Sequence, residues 1–127
     1  MPLDIQVKRN LDRSRQHMVT VELTGSLDTA TAPELERQLR TVVDPRTTDV
    51  VFDLAGLKFI SSAGLRIFAN VRKQLKAGGG HIAFVHMQPQ IEEVFAIIKA
   101  LPGMSIFRNA AEFDTYLTAR QLRDREE

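Results

Sequence analysis

No cysteine occurs among the 127 residues, and tryptophan is absent as well. The first absence excludes a disulfide framework, a thiolate nucleophile, Cys-ligated zinc and an iron–sulfur cluster. Histidine is scarce, with only His17, His81 and His86. His81 and His86 lie five apart in a segment that reads as a strand, where alternation sends them to opposite faces. No metal site and no cofactor is therefore expected. Apolar runs are short, and none approaches the roughly eighteen residues of a membrane span. An excess of either charge is also missing: 17 Lys and Arg stand against 16 Asp and Glu, a formal net charge of +1. Bulk attraction to nucleic acid or to acidic lipid is not indicated. The opening Met-Pro-Leu-Asp-Ile carries an acid at its fourth position and no apolar stretch, unlike a secretory leader, so a cytoplasmic location is expected.

What is present has the balance of a globular chain, with 43% hydrophobic and 26% charged residues. The length suits one domain, with a core of about residues 4–120 and a charged end at about 121–127. Ile5 and Val7 alternate with polar neighbours, as do Val19, Val21 and Leu23, so the chain opens with two half-buried strands in an antiparallel hairpin. Thr31-Ala-Pro-Glu34 has the form of a capping box, followed by a helix through Leu35, Leu39 and Val42 that ends near Asp44-Pro45. Val50-Val51-Phe52 has no alternation and suits a strand buried on both faces. A second helix runs from about Ser62 to Ala77, with Leu65, Phe68, Val71 and Leu75 as its apolar stripe.

Gly78-Gly79-Gly80 follows a helix and precedes a strand, which is the order of a C-terminal cap and not of a phosphate-cradling loop. Ile82 to Val85 is the next strand, Pro89 starts a third helix with Ile91, Val94, Phe95 and Ile98 on one face, and Met104 to Phe107 is a short last strand. Asn109 to Glu112 is a second capping box, opening a fourth helix lined by Phe113, Tyr116 and Leu117. The order is ββαβαβαβα: an α/β fold with four or five strands, mostly parallel, behind an antiparallel first pair, and four helices. Right-handed crossovers gather the segments Gly25–Ala30, Leu54–Ser61 and His86–Gln88 at one end of the sheet, where open α/β sheets place their sites.

At that end two adjacent hydroxyls, Ser61 and Ser62, stand where the second helix begins. Either could simply cap the helix by accepting a bond from a first-turn amide. The same geometry also tolerates a phosphoryl group, because a helix N-terminus offers free amides and the positive end of its dipole. Ala63 and Gly64 leave the approach open. A catalytic reading of Asp28, Ser62 and His86 as acid, hydroxyl and base would make the chain a small hydrolase. Ser62 is not in a Gly-x-Ser-x-Gly elbow, however, and no enzyme is expected.

Phe59-Ile-Ser-Ser-Ala-Gly-Leu-Arg66 resembles the phosphoacceptor loop of bacterial anti-sigma factor antagonists, which are STAS domains. Leu23-Thr-Gly-Ser-Leu-Asp28 is similar to the family's turn before its first helix, and Val50–Leu54 and Gly79–Phe84 to two of its strands. The resemblance implies partner switching. The unmodified antagonist binds an anti-sigma factor with serine-kinase activity and so frees a sigma factor; phosphorylation releases it, and a metal-dependent serine phosphatase reverses the step. By position the acceptor is Ser62. The residue before it, often Asp in the family, is Ser61 here, which makes Ser61 the second choice. Asp28 corresponds to the loop acid beside the acceptor, and Ser61, Ser62, Ala63, Gly64 and Arg66 complete the expected partner-binding set. A monomer or weak dimer is expected. The alternative is a STAS-like interaction or anion-binding module that is not phosphorylated or acts outside sigma-factor control.

Overall fold

In the computed structural model the described residues are 2–9, 17–98, 105–107 and 115. Five strands form one sheet in chain order: β1 (Leu3–Arg9), β2 (Met18–Leu27), β3 (Asp49–Ile60), β4 (His81–Val85) and β5 (Ser105–Phe107). The first pair is antiparallel, with Ile5 opposite Leu23 and Val7 opposite Val21, and every later pair is parallel. Three helices make the crossovers: α1 (Ala32–Val42), α2 (Ser62–Ala77) and α3 (Pro89–Ile98). Consecutive strand order with right-handed connections puts all three on one face of the sheet. The fourth helix expected from Asn109 lies outside the described residues.

That face holds the main core. Val19, Val21, Leu23 and Leu27 of β2 point into it with Val50, Phe52, Leu54, Leu57 and Ile60 of β3, Ile82 and Phe84 of β4, and the apolar stripes of the helices. Four phenylalanines knit the layers together, one each from β3, α2, β4 and α3. Phe52 lies 4.7 Å from Phe68 and 5.6 Å from Phe84, while Phe95 of α3 meets Phe84 edge-on at 5.3 Å. Such aromatic pairs add to area burial alone. Val50, Val51 and Phe52 are all buried, as the run without alternation requires: Val51 turns to the opposite face, where it packs with Met18, Ala83 and Val85.

The glycine run does terminate α2. The Gly80 amide donates to the Leu75 carbonyl at 2.7 Å and the Gly79 amide to that of Lys76 at 3.1 Å, with Gly79 at φ +79°. This is the paired closure of a Schellman motif, which needs a left-handed residue between the two bonds.

Three expectations need correction. The segments from Gly25 and Leu54 are not loops at first: β2 continues to Leu27 and β3 to Ile60. Pairing survives there because two bulges absorb the irregular sequence, one between the Glu22–Asp53 and Thr24–Gly56 rungs and one between Gly25–Leu57 and Ser26–Phe59. The first capping box also sits three residues earlier than expected. Thr31 has helical backbone angles and makes no cap bond into α1, and Glu34 turns outward to Arg37 and Gln38, which draw its carboxyl down to about 2. Thirdly, His86 does not follow strand alternation. Its φ of +59° turns the ring to the face away from the helices, where Nδ1 lies 3.1 Å from Asp53 Oδ1.

Phe95→Ala should cost about 3–5 kcal/mol, the usual range for emptying a buried aromatic position. The thermal midpoint should fall clearly, because Phe95 is 7% exposed against Phe84 and Phe68.

Candidate functional site

The last rung shared by β2 and β3 builds the site. Leu27 pairs with Ile60, both side chains are in the core, and the Ser61 amide donates to the Leu27 carbonyl at 2.9 Å. One residue beyond Leu27 is Asp28, and one beyond Ser61 is Ser62. The two segments singled out in the sequence are therefore held side by side by backbone bonds. Gly64 completes the joint: a Cβ there would stand 2.6 Å from Leu27 Cγ and 3.0 Å from an Ile60 side-chain carbon. Only a residue without a side chain lets the first turn of α2 settle onto that rung.

The two serines are not equivalent. Ser61 is the N-cap of α2 by backbone position, with its carbonyl accepting the first helical bond from the Leu65 amide at 3.1 Å. Its hydroxyl makes no cap bond and is buried without a partner among the described residues. Ser62 is the first residue of the helix and is exposed. Its amide and those of Ala63 and Gly64 head the helix, where no carbonyl one turn back is available to them. An anion on Ser62 would meet these donors and the positive end of the helix. Arg66, also exposed, is four residues on and so on the same face of α2.

Asp28 has a structural task. Its Oδ1 accepts from the Ala30 and Thr31 amides, each at 3.0 Å, while its own amide donates to Thr31 Oγ1 at 2.9 Å. The Ala32 amide donates to the Asp28 carbonyl at 2.8 Å. This is a reciprocal capping box with Asp28 as the cap and Thr31 three residues on, and it sets the path of the chain into α1. The Asp44–Thr47 turn repeats the same bonds: Oδ1 accepts from the Arg46 and Thr47 amides, and Thr47 Oγ1 accepts from the Asp44 amide. The Thr31 amide, helped by the Thr31 hydroxyl and the Ala30 amide, holds the Asp28 carboxyl below its ordinary range.

The third segment at this end is tied to β3 and not to Ser62. His86 pairs with Asp53, whose Oδ1 also accepts from the Ala55 amide at 3.1 Å. Beyond Asp53 the β3 edge has no β4 partner, since the last rung joins Asp53 to Val85. Side-chain amides serve that edge instead: Gln88 donates to the Ala55 carbonyl at 2.6 Å and Gln90 to the Lys58 carbonyl at 3.5 Å. Asp28, Ser62 and His86 are thus not joined as acid, hydroxyl and base. Asp28 and His86 each have other partners, and no bond among the described residues links either to Ser62. Sequence reasoning missed four roles: Thr31 as the partner of Asp28, Gln88 and Gln90 on the β3 edge, and Phe59 as an exposed ring. The isolated Gly56 was the available signal for the irregular β3 in which the Phe59 ring turns outward.

The family model described as STAS domain matches residues 9–113. BtrV of Bordetella bronchiseptica, whose name places it among anti-sigma factor antagonists, is 40% identical over 80 residues, covering 63% of this chain and 69% of that protein. An anti-sigma factor antagonist from Mycobacterium paratuberculosis has a similar fold, with a TM-score of 0.74 at 24% identity over 92% of both chains. The anti-sigma factor antagonist SpoIIAA in its unphosphorylated form gives 0.68 at 19% identity over 92% of this chain and 98% of that one. Its phosphorylated form, from Bacillus, gives 0.65 at 18% over 90% and 99%.

The Asp28 cap gives a pH prediction. A carboxyl depressed in the folded state stabilises it above the unfolded pKa, and that contribution is lost as pH falls through the lowered folded value. Asp28→Ala should therefore melt below wild type at pH 7, and the gap should close in acid as the wild-type carboxyl protonates. Thermal melts of both proteins from pH 7 down to pH 2 would check it.

Proposed function

The chain belongs to the STAS domain family, and on that premise we propose that it is an anti-sigma factor antagonist whose binding is switched at Ser62. In its unmodified form it docks a cytoplasmic anti-sigma factor with serine-kinase activity, through a surface of Asp28, Ser62, Ala63 and Arg66 that the buried Gly64 and Ser61 hydroxyl support from beneath, as a monomer or weak dimer. The observation that carries this reading is the difference between neighbouring hydroxyls: Ser62 is exposed at the open head of α2, while Ser61 Oγ is buried. That difference favours Ser62 over Ser61 as acceptor. The names of its relatives support the antagonist role, and the phosphorylated form of SpoIIAA supports the modification.

The chemistry is a phosphoryl transfer. Ser62 Oγ attacks the γ-phosphorus of ATP held by the partner, the bond to the bridging oxygen breaks, ADP leaves, and the hydroxyl proton passes to a base of the kinase. A metal-dependent serine phosphatase returns the serine by hydrolysis, with inorganic phosphate as the product. The chain's own part is to present the hydroxyl and to tolerate the product. Phosphate brings about −1.5 to −2 charges at neutral pH. Free amides and Arg66 accommodate that charge in the isolated chain, whereas docking strips its water and sets it against a partner surface fitted to a neutral serine. An unpaired charge in an interface costs about 3–5 kcal/mol, which is a loss of affinity of roughly a hundredfold or more.

Titration with such an anti-sigma factor should show Ser62→Asp binding at least about a hundredfold more weakly than wild type. Ser62→Ala should bind but take up no phosphate from ATP, and Ser61→Ala should still be modified. Equal affinity of Ser62→Asp and wild type, with no incorporation at either serine, would leave a passive interaction module as the better reading.

A further inference from the structure

Phe59 is 53% exposed, and among the residues whose side chains are described it is the one large apolar side chain left in water. Strict alternation would hide it, because Leu57 is fully buried and Phe59 comes two residues later. The bulge at Lys58 reverses this. Gly25 faces Leu57 and Ser26 faces Phe59, so Lys58 is the extra residue, and the following rung returns Ile60 to the core beside Leu27. One irregularity keeps Leu57 and Ile60 inside and turns the ring between them outward.

The strand that carries the ring is secured on both edges, by β2 at Ser26 and by the Gln90 amide on the Lys58 carbonyl. A rigidly presented aromatic side chain loses little freedom on binding, with two torsions to fix. Ser62 is three residues on, a chain reach of at most about 11 Å. One face of an ordinary protein interface, about 800 Å², covers both. Two exposed cations flank the pair in sequence: Lys58 precedes Phe59, and Arg66 lies one helical turn beyond Ser62.

We propose that Phe59 is the aromatic anchor of the partner interface, entering an apolar pocket on the protein that reads the state of Ser62, with acidic groups at the rim of that pocket meeting Lys58 and Arg66. This rests on the reading that Ser62 gates binding, and it divides the labour within one segment. The ring supplies affinity in both states, and the serine supplies control. Phosphate on Ser62 draws the Arg66 guanidinium to itself and so withdraws one of the two cations from the partner's acids.

The test titrates an anti-sigma factor with serine-kinase activity from the chain's own host with wild type, Phe59→Ala, Phe59→Leu and Ser62→Asp, followed by calorimetry. Each variant is also melted and sedimented alone. Phe59→Ala should weaken binding more than tenfold, and Phe59→Leu less, with melting close to wild type because the ring is exposed. If Phe59→Ala melts early, Phe59→Leu, which keeps apolar bulk, decides by whether its affinity falls. Weakening by Ser62→Asp with no effect of either Phe59 variant overturns the anchor and leaves the gating serine standing. Weakening by Phe59→Ala with wild-type affinity for Ser62→Asp does the reverse, retaining the docking point and sinking the switch. A wild type that binds no such factor overturns both. A wild-type dimer abolished by Phe59→Ala would make a second copy the occupant and overturn the proposal.

Discussion

The Leu27–Ile60 rung is the constraint from which the rest of the site follows. Here the two central strands end together, both side chains enter the core, and the Leu27 carbonyl takes the Ser61 amide. The acid and both hydroxyls at this end are one or two residues from that rung. Asp28 leaves it to cap α1, Ser62 leaves it to head α2, and Gly64 rests on it with no room for a methyl group. Chain geometry alone keeps the acid and the hydroxyl close, with no bond between their side chains. The site is accordingly a backbone construction anchored by buried hydrocarbon, and its chemical groups are passengers on two strand ends.

Charge is arranged across the sheet with similar economy. Lys8 of β1 pairs with Glu22 of β2 at 2.8 Å, Glu22 faces Asp53 of β3 in register, and Asp53 meets His86 past the end of β4. Two acids on neighbouring strands repel when alone. Here the Lys8 ammonium stands at one end of the row, and the left-handed turn at His86 brings its ring to the other as a hydrogen-bonding partner. The turn also ends β4 before α3, so one backbone irregularity both terminates a strand and places a polar partner.

Most of the scaffold was legible in the sequence because its signals are local and periodic. Alternation marked β1 and β2, the uninterrupted Val50–Phe52 run marked a strand buried on both faces, and α2 was read as Ser62 to Ala77, the span it has. The site was legible only as far as such signals reach. Ser61 and Ser62 were found, but which hydroxyl is open depends on how α2 settles on the sheet, and that is decided by Leu27, Ile60 and Gly64 together. Thr31 followed by Glu34 looked like a capping box until Asp28 proved the better acceptor three residues earlier, where the strand ends. Phe59 was hidden by the opposite kind of failure. Leu54–Ser61 was expected to follow the strand as a loop, where no periodicity assigns a face, and only the one-residue bulge in the extended β3 decides that Leu57 and Ile60 turn inward and Phe59 outward.

The glutamine amides on β3 have a further consequence. Past Asp53 this strand outruns its neighbour, leaving carbonyls in the position where a foreign strand could add to the sheet. Gln88 and Gln90 supply donors of the kind a backbone would, yet a side chain cannot propagate a ladder. The exposed margin beside the ring is thereby made less receptive to stray pairing.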